Sequence, residues 1–275
     1  MPRIIIGLSI LLMIISCQPQ SKTVGQIRYI VTSPEVAEIL AAIGASDNIV
    51  GVTEECNYPP NLAGIENIGN FGKVDFERII EIDPTLVFTS GLEQEALSAE
   101  LQKLNIPVQK IYPQSLEQLL KSIADIGRLT DREKAAEILI DSLETELKKI
   151  EKIPISHTPK VYVEIYGEPL MSVNNTSFVG EIITLAGGEN IFSELPREYS
   201  RINTEHVIES NPEIIILTYP GIGIEEVVQR KGWEVISAVQ NNKIFSSDNI
   251  NPDLILRASP RCIEGIKQLQ KAFYE

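Results

Sequence analysis

The sequence predicts an α/β fold built as two lobes, and three observations support that prediction. Short β-branched segments alternate with helical segments, which is typical of parallel sheets with crossover helices. One long helical pattern, Thr130 to Lys152, interrupts the alternation near mid-chain. A unit of cap, helix, proline and strand occurs once on each side of that pattern, and duplication of a lobe explains such a repeat.

The elements of the first half follow from strand runs and helix capping signals. Ser33 and Pro34 supply an N-cap and a first-turn proline, and Asp75 opens a short helix. Ser115 and Gln118 have the spacing of a capping box. These signals predict strands at 27–32, 49–52, 86–89 and 108–111, and helices at 34–42, 75–83, 93–104 and from 115 onward.

The mid-chain helix is predicted to begin with a second capping box, from Thr130 to Glu133. A helix of about 20 residues spans about 30 Å, enough to cross from one lobe to the other. The alternation then restarts. It predicts strands at 161–165, 214–217 and 243–245, and helices at 178–185, 206–210, 224–231 and 260–274.

The repeated unit aligns residues 75–88 with residues 203–216 without gaps. Glu77 and Glu205 occupy the same place in the first helical turn of each copy. Acidic residues there favour the helix dipole, which alone could account for both. Their matched positions on two lobes also suggest a paired surface feature.

The amino terminus has the form of an export signal. One arginine precedes twelve nearly all-apolar residues, about 18 Å of helix and too short to cross a bilayer core of about 30 Å. The segment ends Ile14-Ile15-Ser16-Cys17, which resembles the lipobox of bacterial lipoproteins. We expect residues 1–16 to be a signal peptide, Cys17 a lipid anchor and 17–26 a tether, the alternative being an ordinary secretory signal.

Composition excludes several classes of function. The formal net charge of −14 makes nucleic acid binding improbable. With two histidines and no CxxC pair, neither a polyhistidine metal site nor a zinc ribbon is expected. Cys56 and Cys262 are expected to be free buried thiols, the alternative being a disulfide. We expect that the protein is not an enzyme, because GxSxG, HExxH, P-loop and GxGxxG motifs are missing from the sequence.

Several segments together resemble the periplasmic vitamin B12/iron-siderophore binding proteins of ABC importers, most closely the cobalamin branch. They are Ser33-Pro34 with Glu38, Val50-Gly51-Val52 leading to Tyr58-Pro59-Pro60, residues 75–87, Gly187-Gly188-Glu189-Asn190-Ile191-Phe192 and Arg257-Ala258-Ser259-Pro260-Arg261. The resemblance covers about residues 27–274. It implies two Rossmann-like lobes with parallel sheets, at 27–129 and 154–275, joined by one long α-helix at 130–153.

The resemblance also implies a ligand between the lobes and a permease partner. Glu77 and Glu205 would dock onto arginines of the permease, and the carboxyl ends of the strands would line the cleft. Glu55 stands where the closest branch has Tyr, and Asn249 where it has Trp. The expected ligand-binding residues, several of which could instead be core, are Ser33, Pro34, Glu55, Tyr58, Phe71, Tyr166, Phe178, Tyr199, Tyr219, Asp248 and Asn249.

The expected function is therefore capture of cobalamin by a lipid-anchored monomer outside the cytoplasmic membrane, with no cofactor and no bound metal. A ferric siderophore or haem is the nearest alternative, since Lys73, Arg197 or Arg201 could meet an anionic ligand. A membrane-tethered sensor and an exported hydrolase are more distant alternatives.

Overall fold

The computed structural model describes residues 27–91 and 94–275, and its amino-terminal lobe is built on a four-stranded parallel sheet. The strand order is β2-β1-β5-β6, and a separate hairpin pairs β3 with β4. The elements are β1 (Tyr29–Val31), α1 (Pro34–Ala42), β2 (Ile49–Val52), β3 (Gly69–Asn70), β4 (Lys73–Val74), α2 (Phe76–Ile82), β5 (Leu86–Thr89), α3 (Glu95–Lys103), β6 (Val108–Lys110), α4 (Leu116–Leu129) and α5 (Glu133–Ile150).

The carboxy-terminal lobe contains a second four-stranded parallel sheet, in the order β10-β7-β12-β13. Its elements are β7 (Lys160–Glu164), β8 (Tyr166–Gly167), β9 (Leu170–Val173), α6 (Phe178–Leu185), β10 (Glu189–Asn190), β11 (Tyr199–Arg201), α7 (Thr204–Ser210), β12 (Ile214–Leu217), α8 (Ile224–Val228), α9 (Ser237–Gln240), β13 (Ile244–Phe245), α10 (Asp253–Leu256) and α11 (Cys262–Tyr274). Two parallel sheets in two lobes confirm the predicted fold class.

The internal repeat has the same geometry in both lobes. In each copy a seven-residue helix, α2 or α7, leads into a strand, β5 or β12, that lies beside the first strand of its sheet. Both helices end on a left-handed residue, Asp83 (φ 52°, ψ 64°) and Asn211 (φ 46°, ψ 65°). The copies differ at the start, because Asp75 caps α2 through its side chain whereas Asn203 makes no such bond.

The predicted capping box at Thr130 is wrong. The Thr130 hydroxyl instead donates to the Ile126 carbonyl at 2.8 Å and ends α4. Asp131 then takes a left-handed conformation (φ 54°), and the Arg132 N–H returns to the Gly127 carbonyl at 2.8 Å. This tight turn separates α4 from α5, so the mid-chain helix covers 133–150 rather than 130–152. The capping bond at Ser115 is present, accepted from Gln118 N–H at 3.2 Å.

A small antiparallel sheet of order β11-β9-β8 is not predicted by the sequence. Its strands have two to four residues, too short to produce an alternating pattern, and one of them begins well away from the other two in sequence. Strands β8 and β9 follow β7 along the chain, and β9 lies beside β7.

Helix α5 connects the lobes and packs against α4 of the first and α11 of the second. Leu143 and Ile150 on its buried face belong to one hydrophobic cluster, which also includes Ile123 from α4 and Ile266 from α11. On its surface, Glu146 accepts from the Lys267 ammonium at 2.6 Å. The two lobes therefore share a core along this helix. No helix in the described ranges has the length and apolar character required to span a bilayer.

Candidate functional site

A buried carboxylate joins the two lobes. Glu38 lies on α1 with its side chain 2% exposed, and it faces two arginines of the other lobe. Arg261 donates to both carboxylate oxygens, from Nε at 2.8 Å and from Nη2 at 2.5 Å, and Arg257 Nη1 donates at 3.1 Å. Arg257 also pairs with Asp253 at 2.9 Å. Bidentate contact of this kind fixes orientation as well as distance.

The loop after β2 is held by the same arginines. The Tyr58 ring lies beneath the Arg261 guanidinium, with 3.7 Å between the ring centroid and Cζ, and Asn57 Oδ1 accepts from Arg257 Nη1 at 3.0 Å. Stacking of this type is a cation–π contact. Tyr58 therefore contributes to the junction between the lobes, and its side chain remains 40% exposed.

The cleft itself contains a small inner cavity of about 50 Å³. Glu35 and Tyr112 line it from the amino-terminal lobe, and Phe178, Glu198 and Tyr199 from the carboxy-terminal lobe. A more open hollow of about 570 Å³ shares part of this wall and adds residues 174, 176, 196 and 197. The inner cavity and the open hollow together form a site with aromatic rings from both lobes.

Glu198 bridges the rim of the cleft. Its Oε2 accepts from the Tyr112 hydroxyl at 3.3 Å, and its Oε1 accepts from the side-chain amide of Gln114. Nearby, the Leu116 N–H donates to Glu181 Oε2 at 2.7 Å. The segment between β6 and α4 is thus hydrogen-bonded across to the opposite lobe.

Glu35 provides a carboxyl group in the wall of the inner cavity. Burial raises the pKa of Glu35, although hydrogen bonds from the backbone and Ser90 and the charge of Arg257 partly offset that shift. The Ser90 hydroxyl donates to Glu35 Oε1 at 3.1 Å. Sequence reasoning missed Glu35 because a first-turn glutamate after Ser-Pro has the ordinary form of a helix start.

The predicted ligand-binding residues separate into several places. Phe178 and Tyr199 line the inner cavity. Ser33 is buried at the start of α1, with Pro34 half-buried beside it. Phe71 is half-buried, and its N–H donates to Glu55 Oε1 at 2.9 Å, so these two residues meet in the segment ahead of α2.

The remaining predicted residues lie on the carboxy-terminal lobe. The rings of Tyr166 and Tyr219 contact each other with centroids 6.1 Å apart, and Tyr166 is 52% exposed. Asp248 and Asn249 are exposed in the loop after β13. Asn249 lines a separate hollow beside α11, together with Gln268.

Tyr219 also belongs to a buried polar cluster that the sequence analysis missed. Its hydroxyl donates to Glu164 Oε1 at 2.5 Å, and Glu164 is fully buried. Arg230 donates to both Glu164 oxygens at 2.6 and 2.7 Å, and the Tyr162 hydroxyl donates at 3.1 Å. Burial and the bond to Glu164 both raise the pKa of Tyr219. This cluster satisfies a buried charge, as such charges require.

Glu77 and Glu205 are both exposed, each at the second position of its helix. Glu205 borders an open hollow of the carboxy-terminal lobe that Lys231 also lines. A docking role for the two residues remains a prediction.

The two cysteines that the structure describes lie apart from each other. Cys56 and Cys262 are separate free thiols and both are buried, in agreement with the free-thiol prediction. Burial raises the pKa of Cys56 to about 11 and that of Cys262 to about 12. Within residues 27–91 and 94–275, no group of three or more His, Cys, Asp or Glu side chains is placed to hold a metal ion. Cys17 lies outside the described residues.

Two parallel-sheet lobes, a helix packed on both and a cleft between them have the architecture of a two-lobed solute-binding protein. The family model described as periplasmic binding protein matches residues 30–251, and the chain belongs to that family. Because this is a family of binding proteins that act outside the cytoplasm, it agrees with the expectation of a binding role rather than catalysis.

The following relatives share less than 30% sequence identity with this chain. The chain is 28% identical over 250 residues to the uncharacterized ABC transporter substrate-binding lipoprotein YvrC of Bacillus subtilis (strain 168), covering 88% of this chain and 78% of that one. It is 24% identical over 249 residues to the vitamin B12-binding protein of Vibrio parahaemolyticus, covering 90% and 89%. The solved periplasmic haem-binding protein RhuT from Roseiflexus sp. RS-1, in apo form, has a TM-score of 0.82 at 22% identity, covering 91% and 98%, and indicates the fold alone.

Proposed function

We propose that this protein is the substrate-binding lipoprotein of an ABC importer, and that it captures a corrinoid in the cleft and delivers it to the permease. The observation that carries the proposal is the interlobe cleft with aromatic side chains from both lobes, in a chain of the periplasmic binding protein family. Its similarity to a vitamin B12-binding protein over 90% of its length adds weight to a corrinoid.

The aromatic lining suits a large flat macrocycle. Tyr112, Phe178 and Tyr199 approach one space from opposite lobes. Flat ligands are held mainly by apolar and aromatic burial, with a few polar contacts that set orientation. In this proposal the three rings contact the faces and edges of the corrin.

Binding in the inner cavity requires the cleft to open. Small-molecule sites typically enclose about 300–1,000 Å³, a range that the open hollow reaches with about 570 Å³, whereas the inner cavity has about 50 Å³. The bonds of Tyr112 and Gln114 to Glu198 close the rim, so these bonds separate when the ligand enters. The shared core along α5 and the Glu38 junction hold the two lobes together and keep the movement small.

Haem or a ferric siderophore is the second candidate. Arg197 lines the open hollow and could meet a ligand carboxylate. The fold similarity to the haem-binding protein RhuT is compatible with this ligand but does not argue for it at 22% identity.

In the proposed cycle, Glu77 and Glu205 dock onto the permease and a lipid on Cys17 keeps the protein at the membrane. Exposed carboxylates in matching positions on two lobes suit a two-point contact with guanidinium groups. Charge reversal at both positions should abolish cobalamin uptake in cells and leave the affinity for ligand unchanged. The matched control reverses Glu100 and Glu209, two exposed glutamates on α3 and α7. Normal uptake in the Glu77/Glu205 variant would contradict the docking role.

The ligand is tested by calorimetric titration of the purified chain with cyanocobalamin, haemin and a ferric siderophore. We expect one-to-one binding of cyanocobalamin. Tyr199→Ala should weaken it roughly tenfold or more, since burying an aromatic side chain is worth about 1.5–3 kcal/mol. Tyr274→Ala, on the last helix, should leave the affinity unchanged. If only haemin or only the siderophore gives a heat of binding, that compound becomes the proposed ligand.

A further inference from the structure

The charged side chains that line the cleft are mostly acidic, which affects the groups that a ligand can present at its edge. Glu35 and Glu198 line the inner cavity, and Arg197 is the cation among the described residues that line the open hollow. Arg257 and Arg261 lie close by, but their donors are engaged by Glu38, Asp253 and Asn57, with a side-chain exposure of 10% and 17%. Guanidinium groups held in this way are not available to neutralise a ligand carboxylate.

Glu198 already holds the kind of group that we expect the ligand to present. Its Oε1 accepts a hydrogen bond from the carboxamide of Gln114, and its Oε2 accepts one from the Tyr112 hydroxyl. Both partners belong to the opposite lobe and must withdraw when the cleft opens. A carboxylate accepts hydrogen bonds and donates none, so each oxygen then needs a new donor.

We propose that Glu198 makes the cleft select ligands whose periphery donates N–H groups, such as carboxamides, over ligands that carry carboxylates at the same positions. This inference rests on the proposed function, because it concerns the same cleft. A ligand carboxamide can donate an N–H group to Glu198 in place of the Gln114 side-chain amide. A ligand carboxylate brings a like charge against Glu198 and leaves its oxygens without a donor, which a partly desolvated site penalises.

The test compares two probes that share one ring. Dicyanocobinamide carries carboxamides around the corrin, and dicyanocobyrinic acid carries carboxylic acids instead. The full chain, purified in detergent, is titrated with each at neutral pH. We expect the amide form to bind at least about tenfold more tightly, which corresponds to about 1.4 kcal/mol. Equal affinity, or tighter binding of the acid, would overturn the inference.

The variant E198Q tests the residue itself. Glutamine removes the charge and supplies a donor, so the affinity ratio should fall below about threefold, chiefly through tighter binding of the acid. Glu194→Gln is the matched control, an exposed glutamate in the same loop, and should keep the wild-type ratio. An unchanged ratio in E198Q would refute the role of Glu198 even if the wild type discriminates.

Two further probes separate this inference from the proposed function. If neither corrinoid binds but ferrioxamine, whose periphery carries amides and an ammonium group, does bind, the corrinoid proposal fails and the selection for donors stands. If haem, with its two propionates, binds in place of all the others, both are overturned.

Discussion

Glu38→Ala should cause the largest loss of stability among substitutions at the junction of the lobes. The change removes a carboxylate that is 2% exposed and leaves Arg257 and Arg261 without their shared partner. Removing one member of a buried ion pair typically costs about 3–5 kcal/mol, because the remaining charge stays desolvated. Arg257 keeps its contacts with Asp253 and Asn57, so the lower end, about 3 kcal/mol, is expected.

The assay is thermal and urea unfolding followed by circular dichroism. For a chain of this size, 1 kcal/mol lowers Tm by about 2–4 °C, which predicts a decrease of roughly 6–12 °C. Glu146→Ala is the control, since it breaks an exposed ion pair between α5 and α11 and should not shift Tm measurably.

A double variant separates charge from packing. Glu38→Met combined with Arg261→Met removes the bidentate pair and fills the space with apolar side chains, while Arg257 keeps its contact with Asp253, so the double variant should recover most of the lost stability. If Glu38→Ala shifts Tm no more than Glu146→Ala, the view of Glu38 as the fixed junction between the lobes is refuted.

Two further predictions concern the cleft and the last helix. Because the pKa of Glu35 is raised above its usual 4.5, the unfolded chain ionises first and the folded state loses stability as pH rises. Glu35→Gln cannot titrate, so in urea unfolding its stability relative to wild type should increase as pH rises from 4.5 and level off once Glu35 is ionised in the folded wild type. Gly265→Ala should destabilise by about 1–3 kcal/mol, since its Cβ would meet the Leu254 backbone, with the carbonyl carbon at 2.8 Å.

A specific result would contradict each of these two predictions. A constant stability difference between Glu35→Gln and wild type across that pH range would show that Glu35 titrates normally. Gly64→Ala is the control for the glycine substitution, because nothing lies within 4 Å of its added Cβ. Equal unfolding midpoints for the Gly265 and Gly64 variants would contradict the close contact between α10 and α11.

The fold could be predicted from local sequence because its strands and helices are locally consistent. The runs at 49–52, 86–89 and 214–217 form strands over the predicted residues, since each is short, apolar and bounded by turn residues. The start of α5 could not be predicted in this way. The sequence at Thr130 has the form of a helix N-cap, but the Thr130 hydroxyl donates to the Ile126 carbonyl at the end of α4. That choice depends on the turn between two packed helices rather than on any single residue.

The site was harder to predict because its contacts join distant parts of the chain. Aromatic character and family resemblance predict Phe178 and Tyr199 as ligand-binding residues, and both line the inner cavity. Glu198 and Tyr112 carried no sequence signal, since each is ordinary until the lobes bring them together. Asn249 was expected at the ligand and lines a different hollow, as the loop after β13 turns towards α11.

The proposed corrinoid site is tested most directly by a crystal structure of the protein grown or soaked with cyanocobalamin. We expect one corrin ring between the lobes, in contact with Tyr112 and Tyr199, with the hydrogen bonds of Glu198 to Tyr112 and Gln114 replaced by ligand donors. A corrinoid bound elsewhere on the chain, or an unoccupied cleft with the Glu198 bonds intact, would contradict it.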